Sequence, residues 1–180
     1  MDFQTAKDGI DFLVRNQEKR EYYHPSAKGE KVSATFFGGE PTLLWDEIIV
    51  PLVNYTEQTY PDKVVFGMTT NGTILNEDRI KWLYDHNIRP LLSIDGDKKT
   101  QDFNRPCRDG KSSFDLVSKN ISTILKYFPN TTFRATIYEP TVDKLYENYL
   151  FAIEQGFRNI FLCPNARDVW SEEGLEIFHQ

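Results

Sequence analysis

Val32-Ser33-Ala34-Thr35-Phe36-Phe37-Gly38-Gly39-Glu40-Pro41 is the stretch from which the fold is read. Residues 32–37 form a short β-rich run that ends at Gly38-Gly39. Before it, Phe3, Ala6, Ile10, Leu13 and Val14 recur at helical spacing. The polar residues 18–31, which include Pro25 and Gly29, read as a loop joining that helix to the run. After it, residues 44–60 read as a helix that Pro51 kinks or restarts.

The alternation continues along the chain. Residues 64–70 are a strand closed by the turn Asn71-Gly72. Asn76 caps a helix running to about His86, with Glu77 and Asp78 in the first turn, where the helix dipole favours acids. Residues 90–94 are a strand closed by Asp95-Gly96, and residues 97–111 are a polar excursion. Ser112 caps a helix whose Phe114, Val117, Ile121, Ile124, Leu125 and Phe128 make one apolar stripe. Residues 132–137 are a strand, Thr141 caps a helix that Gly156 ends, residues 159–163 are the fifth strand, and Ser171 caps a last helix. Helices between consecutive strands demand parallel pairing with right-handed crossovers. Five strands do not close an eight-stranded barrel, so an α/β open sheet or partial barrel is expected, with helices outside.

At 180 residues one domain, 1–180, is the expectation, long enough to bury a core. The net charge of −6 removes the broad electrostatic attraction behind non-specific nucleic-acid binding. The basic run 105–111 is short and broken by Asp109, and reads as a local anion contact or a solvated turn. No apolar run has the length of a membrane span, and residues 1–7 lack the features of a signal peptide. A cytoplasmic protein with neither nucleic-acid nor membrane partner is expected. Cys107 and Cys163 match no zinc or redox spacing and read as isolated thiols. His24, His86 and His179 are scattered, so no metal site is expected. Glu172, Glu173 and Glu176 read as a solvated helix face, and Trp45 and Trp82 as packing.

In parallel α/β architectures, the loops at the C-terminal strand ends build the site. Here those loops are Gly38-Gly39-Glu40-Pro41, Thr70-Asn71-Gly72, Ser93-Ile94-Asp95-Gly96 and Pro164-Asn165. Glycines there let a ligand approach the backbone. The plainer reading of each is a turn that needs a positive φ. Three such turns on successive strands weaken the plainer reading.

Phe36-Phe37-Gly38-Gly39-Glu40-Pro41-Thr42 resembles the GGEP motif of radical S-adenosylmethionine (SAM) enzymes. Thr69-Thr70-Asn71-Gly72-Thr73 resembles the TNG segment of that family. Leu92-Ser93-Ile94-Asp95-Gly96, with Asn104-Arg105 after it, resembles the S-x-D-G…R pattern of anaerobic sulfatase-maturating enzymes and related peptide maturases. The matches come in family order and reach from the first strand to about Ala166.

The resemblance implies an incomplete radical SAM-type partial (β/α)6 barrel with about five strands. It implies SAM as cofactor, contacted by Gly38, Gly39, Glu40, Pro41, Asn71, Ser93 and Arg105. The strand edge at Gly38–Pro41 would bond the methionyl ammonium, with Gly39 leaving room and Glu40 adding negative charge. Glu40's plainer role is to tie down its turn. Ser93 would meet the ribose or carboxylate, or equally bond backbone. Arg105 would pair with the methionyl carboxylate, which suits a guanidinium fork. Asn71 would touch the ligand or hold its loop, the loop being favoured. Asp95 could meet substrate but reads first as a turn residue. No catalytic residue is assigned.

Intact relatives cleave SAM reductively to a 5′-deoxyadenosyl radical, which takes hydrogen from a peptide or protein substrate. They use a [4Fe–4S] cluster on three thiolates, normally in a CxxxCxxC loop. The first helix here resembles the one that follows that loop. The expectation is therefore a core missing its first strand, cluster loop and any C-terminal domain, and not competent alone to cleave SAM. Cys107 and Cys163 cannot replace the trio. A complementary chain carrying the missing segments is a further expected partner. Three rivals stand beside this reading: a non-catalytic SAM- or peptide-binding subunit, an inactive truncated fragment, and an ordinary α/β enzyme with an anion site at the same loops.

Overall fold

Asp2 opens the first helix, α1 (Phe3–Tyr23), its carboxylate accepting the Thr5 N–H at 2.8 Å. The computed structural model describes residues 1–167 and 169–179. After α1 come β1 (Val32–Phe36), α2 (Val50–Thr59), β2 (Val64–Thr70), α3 (Glu77–Asp85), β3 (Arg89–Ser93) and α4 (Lys98–Asn104). Then follow α5 (Ser113–Tyr127), β4 (Thr132–Ile137), α6 (Leu145–Glu154), β5 (Asn159–Pro164) and α7 (Glu172–His179). The sheet order is β1-β2-β3-β4-β5. The α/β class with five parallel strands expected from the sequence is the class observed. By its contacts the chain divides into two compact units, Met1–Thr69 with Leu83–Arg89, and Thr70–Trp82 with the chain from Pro90 onward.

In the first unit β1 pairs parallel with β2, in register from Val32 opposite Val64 to Phe36 opposite Met68. Val32, Ala34 and Phe36 alternate with the exposed Ser33 and Thr35. They pack on a buried cluster of Ala6, Ile10 and Val14 from α1 with Ile48 and Leu52. Asp11 ties α1 to α2 beside this cluster. It accepts hydrogen bonds from the Tyr55 hydroxyl at 2.6 Å and the Tyr60 hydroxyl at 3.1 Å, and pairs with Lys7 at 3.0 Å.

One local expectation is corrected here and a second is given its detail. Residues 18–23, read as the start of a loop, continue α1, which stops only before Pro25. Gln17, Glu18, Lys19, Arg20 and Glu21 are polar but good helix formers, so polarity misled where the absence of Gly and Pro did not. Residues 44–60 are interrupted just before Pro51, as the proline led one to expect, and what the sequence did not show is the form of the interruption. Pro41–Leu44 is a 3₁₀ turn, Trp45–Ile49 a π turn in which the Val50 N–H reaches the Trp45 carbonyl, and α2 begins at Val50. Pro51 falls in the first turn of α2, directly after the π turn.

In the second unit β3, β4 and β5 run parallel, with Leu92 opposite Phe133 and Phe133 opposite Ile160. Phe133 is fully buried and meets Phe157 edge-on at 5.3 Å. Val117, Ile121 and Ile124 of α5 are buried, as their spacing requires, and Ser112 caps the helix by accepting the Asp115 N–H at 3.0 Å. The polar excursion holds a further helix, α4, capped by Asp97, which accepts the Thr100 N–H at 2.9 Å. Thr141 caps no α-helix: Glu139–Lys144 is 3₁₀ and α6 begins at Leu145. The Thr141 hydroxyl bonds Asn104 Oδ1 and the Tyr138 carbonyl instead, both at 3.3 Å. Among the described residues no helix is long and apolar enough to cross a membrane.

Candidate functional site

The turn after β1 lies in the first unit. Gly38 has φ +151°, a conformation that side chains rarely adopt. At Gly39 neither φ nor any neighbour demands glycine, because a Cβ built there finds nothing within 4 Å. The space beside Gly39 is open on the chain's own terms. Glu40 caps the 3₁₀ turn that follows. One of its carboxylate oxygens accepts the Thr42 N–H at 3.1 Å and the Thr42 hydroxyl. This is the turn-fixing role, and it holds Pro41 in place. An apolar hollow of about 420 Å³ opens beside Pro41, lined among others by Ile10, Leu13, Phe36, Phe37 and Leu44. Among the described residues no charged side chain lines it.

The remaining residues lie in the second unit. Asn71 accepts the Thr73 N–H at 3.0 Å and the Thr73 hydroxyl at 2.8 Å, so its side chain holds the loop. Gly72 has φ +70°, and a Cβ there would sit 2.6 Å from Leu92 Cδ1 and 2.9 Å from Val117 Cγ2. Its carbonyl, with that of Leu75, accepts the buried Asn120 amide at 3.4 and 2.7 Å. The Gly72 turn is therefore shaped by the protein's own packing.

Ser93 ends β3 and is 7% exposed. Asp95, two residues on, is 3% exposed, with its carboxylate wholly buried. It accepts Arg105 Nε at 2.9 Å and Arg105 Nη2 at 2.8 Å, and a third bond from the Thr136 N–H of β4 at 2.9 Å. Its own N–H donates to Gln101 Oε1 at 2.8 Å. Gly96 has φ +154°, and a Cβ there would lie 2.0 Å from Asn148 Oδ1. That oxygen accepts the Asp97 N–H at 3.0 Å, while Asn148 Nδ2 donates to Thr100 Oγ1 at 3.1 Å. The Asn104 side-chain Nδ2 is buried with no partner among the described residues.

Asp102 anchors α4 to the start of α5, accepting the Phe114 N–H at 2.9 Å and the Ser112 hydroxyl at 2.7 Å, beside Lys98 at 3.5 Å. Burial works against its ionisation, but these donors and the Lys98 charge outweigh it and hold the carboxyl below its ordinary value.

The sequence profile of the Radical SAM superfamily matches residues 11–152. The chain belongs to the radical SAM superfamily. Within it, the cysteine-type anaerobic sulfatase-maturating enzyme of Clostridium novyi (strain NT) is 29% identical over 131 residues, which are 72% of this chain and 35% of that protein. A solved structure of histidine-tagged anSMEcpe with bound AdoMet superposes with a TM-score of 0.73 at 22% identity, covering 93% of this chain and 46% of that one. Streptococcus suis SuiB bound to its precursor peptide SuiA superposes with a TM-score of 0.58 at 21% identity, covering 84% of this chain and 33% of that one. This chain thus spans less than half the length of each. At these identities the two structures speak for the radical SAM fold.

The family implies SAM and a [4Fe–4S] cluster. The cluster takes three cysteine thiolates, and the 180 residues contain Cys107 and Cys163 only, both free and half-buried. Among the described residues no group of three or more His, Cys, Asp or Glu is arranged to hold a metal ion. The residues present do not fit the cluster. The backbone at Gly39 is open in the first unit, and in the second a guanidinium is held by a buried carboxylate just past a strand end. Sequence reasoning missed Asp95 as the partner of Arg105, and missed Gln101, Asn120 and Asn148 entirely. The Asp-Gly dipeptide reads as a turn, and nothing local announces that its carboxylate faces inward.

Proposed function

We propose that this chain is the SAM-binding core of a radical SAM enzyme that modifies a peptide or protein. What carries this reading is the ordered set of motifs within the family match: the GGEP turn, the TNG turn and the S-x-D-G…R segment. The peptide-modifying branch is supported by the sulfatase-maturating relative and by SuiB with its bound precursor peptide.

In this reading the backbone at Gly38 and Gly39 meets the methionyl ammonium, and Glu40 and Pro41 keep that turn rigid. Ser93 offers a hydroxyl at the end of β3 to the ribose or carboxylate. Arg105 donates to the methionyl carboxylate, and Asn71 fixes the loop after β2. Reductive cleavage of SAM needs an electron from an iron–sulfur cluster, whose thiolates come from outside these 180 residues.

Calorimetric titration with SAM, and with inorganic phosphate as competitor, tests the reading. SAM is expected to bind and phosphate not to displace it. Binding of phosphate without preference for SAM overturns the reading in favour of an ordinary anion site.

The cysteine count favours a second reading for the 180 residues by themselves: SAM is bound and not cleaved. Incubation with SAM and a strong reductant is expected to leave SAM intact. Formation of 5′-deoxyadenosine overturns this second reading.

A further inference from the structure

We infer that Asp95 is a positioning residue that aims the guanidinium of Arg105, so that the methionyl carboxylate is recognised by oriented N–H donors and not by free charge. The inference rests on the reading of Arg105 given above.

Arg105 is the residue that ends α4, its backbone N–H bonded to the Gln101 carbonyl. A surface arginine there would sample many rotamers. Asp95 removes that freedom from below. Its carboxylate is itself immobile, buried completely and hydrogen-bonded to the β4 backbone at Thr136. The preceding peptide is fixed as well, since the Asp95 N–H is held by the buried Gln101 amide oxygen. The guanidinium is gripped along its Nε–Nη2 edge by both carboxylate oxygens. The donors left over are the Nη1 hydrogens and the second Nη2 hydrogen, which form the opposite end of the fork. The Arg105 side chain as a whole is 29% exposed, whereas the Asp95 carboxylate that holds it is wholly buried.

This arrangement has a chemical consequence. An unpaired arginine attracts any anion. An arginine already paired with a buried carboxylate is close to neutral as a unit and attracts anions weakly at a distance. What it retains is directional hydrogen bonding at a fixed point. The site then discriminates by the position of a carboxylate relative to the rest of the ligand, as a cofactor site must when free phosphate is abundant. Asp95→Asn keeps the shape but places an amide against Arg105 N–H groups, donor facing donor, and releases the fork.

The experiment compares SAM with 5′-methylthioadenosine, which keeps the adenosine and lacks the amino-acid part. Both are titrated into the wild-type chain and into the D95N and R105K variants, with a thermal melt of each. Loss of SAM affinity by roughly tenfold or more in D95N, with 5′-methylthioadenosine affinity unchanged within about twofold, supports the inference. R105K retains the charge without the fork and is expected to show the same selective loss; if D95N does not fold, D95E, which keeps the carboxylate but displaces it along the fork, is read in its place and is expected to lose SAM affinity while leaving 5′-methylthioadenosine affinity unchanged. Equal losses for the two ligands mean Asp95 only maintains the fold, and overturn the inference. Unchanged SAM affinity in D95N overturns it while leaving the SAM reading intact. Failure of the wild type to bind either ligand sinks the SAM reading and the inference with it.

Discussion

Asn148 of α6 stands so close to Gly96 that a Cβ at that glycine would lie 2.0 Å from its Oδ1 and 2.2 Å from its Cγ. The contact is used: the same amide bonds the Asp97 N–H and the Thr100 hydroxyl, and so holds the start of α4. Gly96→Ala meets both this overlap and a φ of +154°. The variant is expected to lose about 3 kcal/mol, read from urea denaturation.

Gly39 is the opposite case. Nothing lies within 4 Å of a Cβ there, and its φ is not in the left-handed region. Gly39→Ala is expected to change stability by less than about 0.5 kcal/mol. If a ligand approaches the backbone at this point, the same variant weakens SAM binding by roughly tenfold, measured by calorimetry. Unaltered affinity removes Gly39 from the site.

Asp102 sets an acid limit on stability. Its folded carboxyl is held below the ordinary value of 3.8. The unfolded chain therefore takes up the proton first as pH falls. The contribution is fully present above pH 3.8 and disappears as pH drops through the folded value. Asp102→Asn is expected to be less stable than wild type at neutral pH, with the gap closing below that point. Denaturant midpoints measured from neutral to acid pH check this, and a gap that stays constant contradicts it.

Tyr60 sets an alkaline one. Burial, and then the Asp11 carboxylate that accepts its hydroxyl, push its pKa up to about 12 from 10.0. The unfolded phenol ionises first, so this stabilisation is complete below pH 10.0 and fades as pH rises towards about 12. Spectrophotometric titration of phenolate is expected to show a late-ionising tyrosine in the wild type that is missing from Tyr60→Phe.

The order of elements was legible because its signals are local. Apolar residues at helical spacing gave α1 and α5 their buried faces, and Asn76 and Ser112 cap helices as their positions suggest. The errors were local too. A polar but helix-forming stretch lengthened α1, and Pro51 restarted a helix only after a π turn that no pattern announces. Residues 98–104 were hidden because their short helix is mostly polar and has too few apolar positions to show a period.

By itself, the sequence determined the alternation of strands and helices, the parallel pairing that alternation requires, and the three family motifs at strand ends. Each depends on neighbours in the chain, through backbone conformation, capping and hydrophobic period. The tertiary structure alone decided which glycines the packing needs and which it leaves open. Gly72 answers to Val117 and Gly96 to Asn148, whereas Gly39 answers to no described residue of the chain. It also turned Asp95 from a turn residue into the buried partner of Arg105 and Thr136. Such contacts join residues far apart in the chain or facing one another across a loop, and their geometry exists only once the surrounding elements are packed.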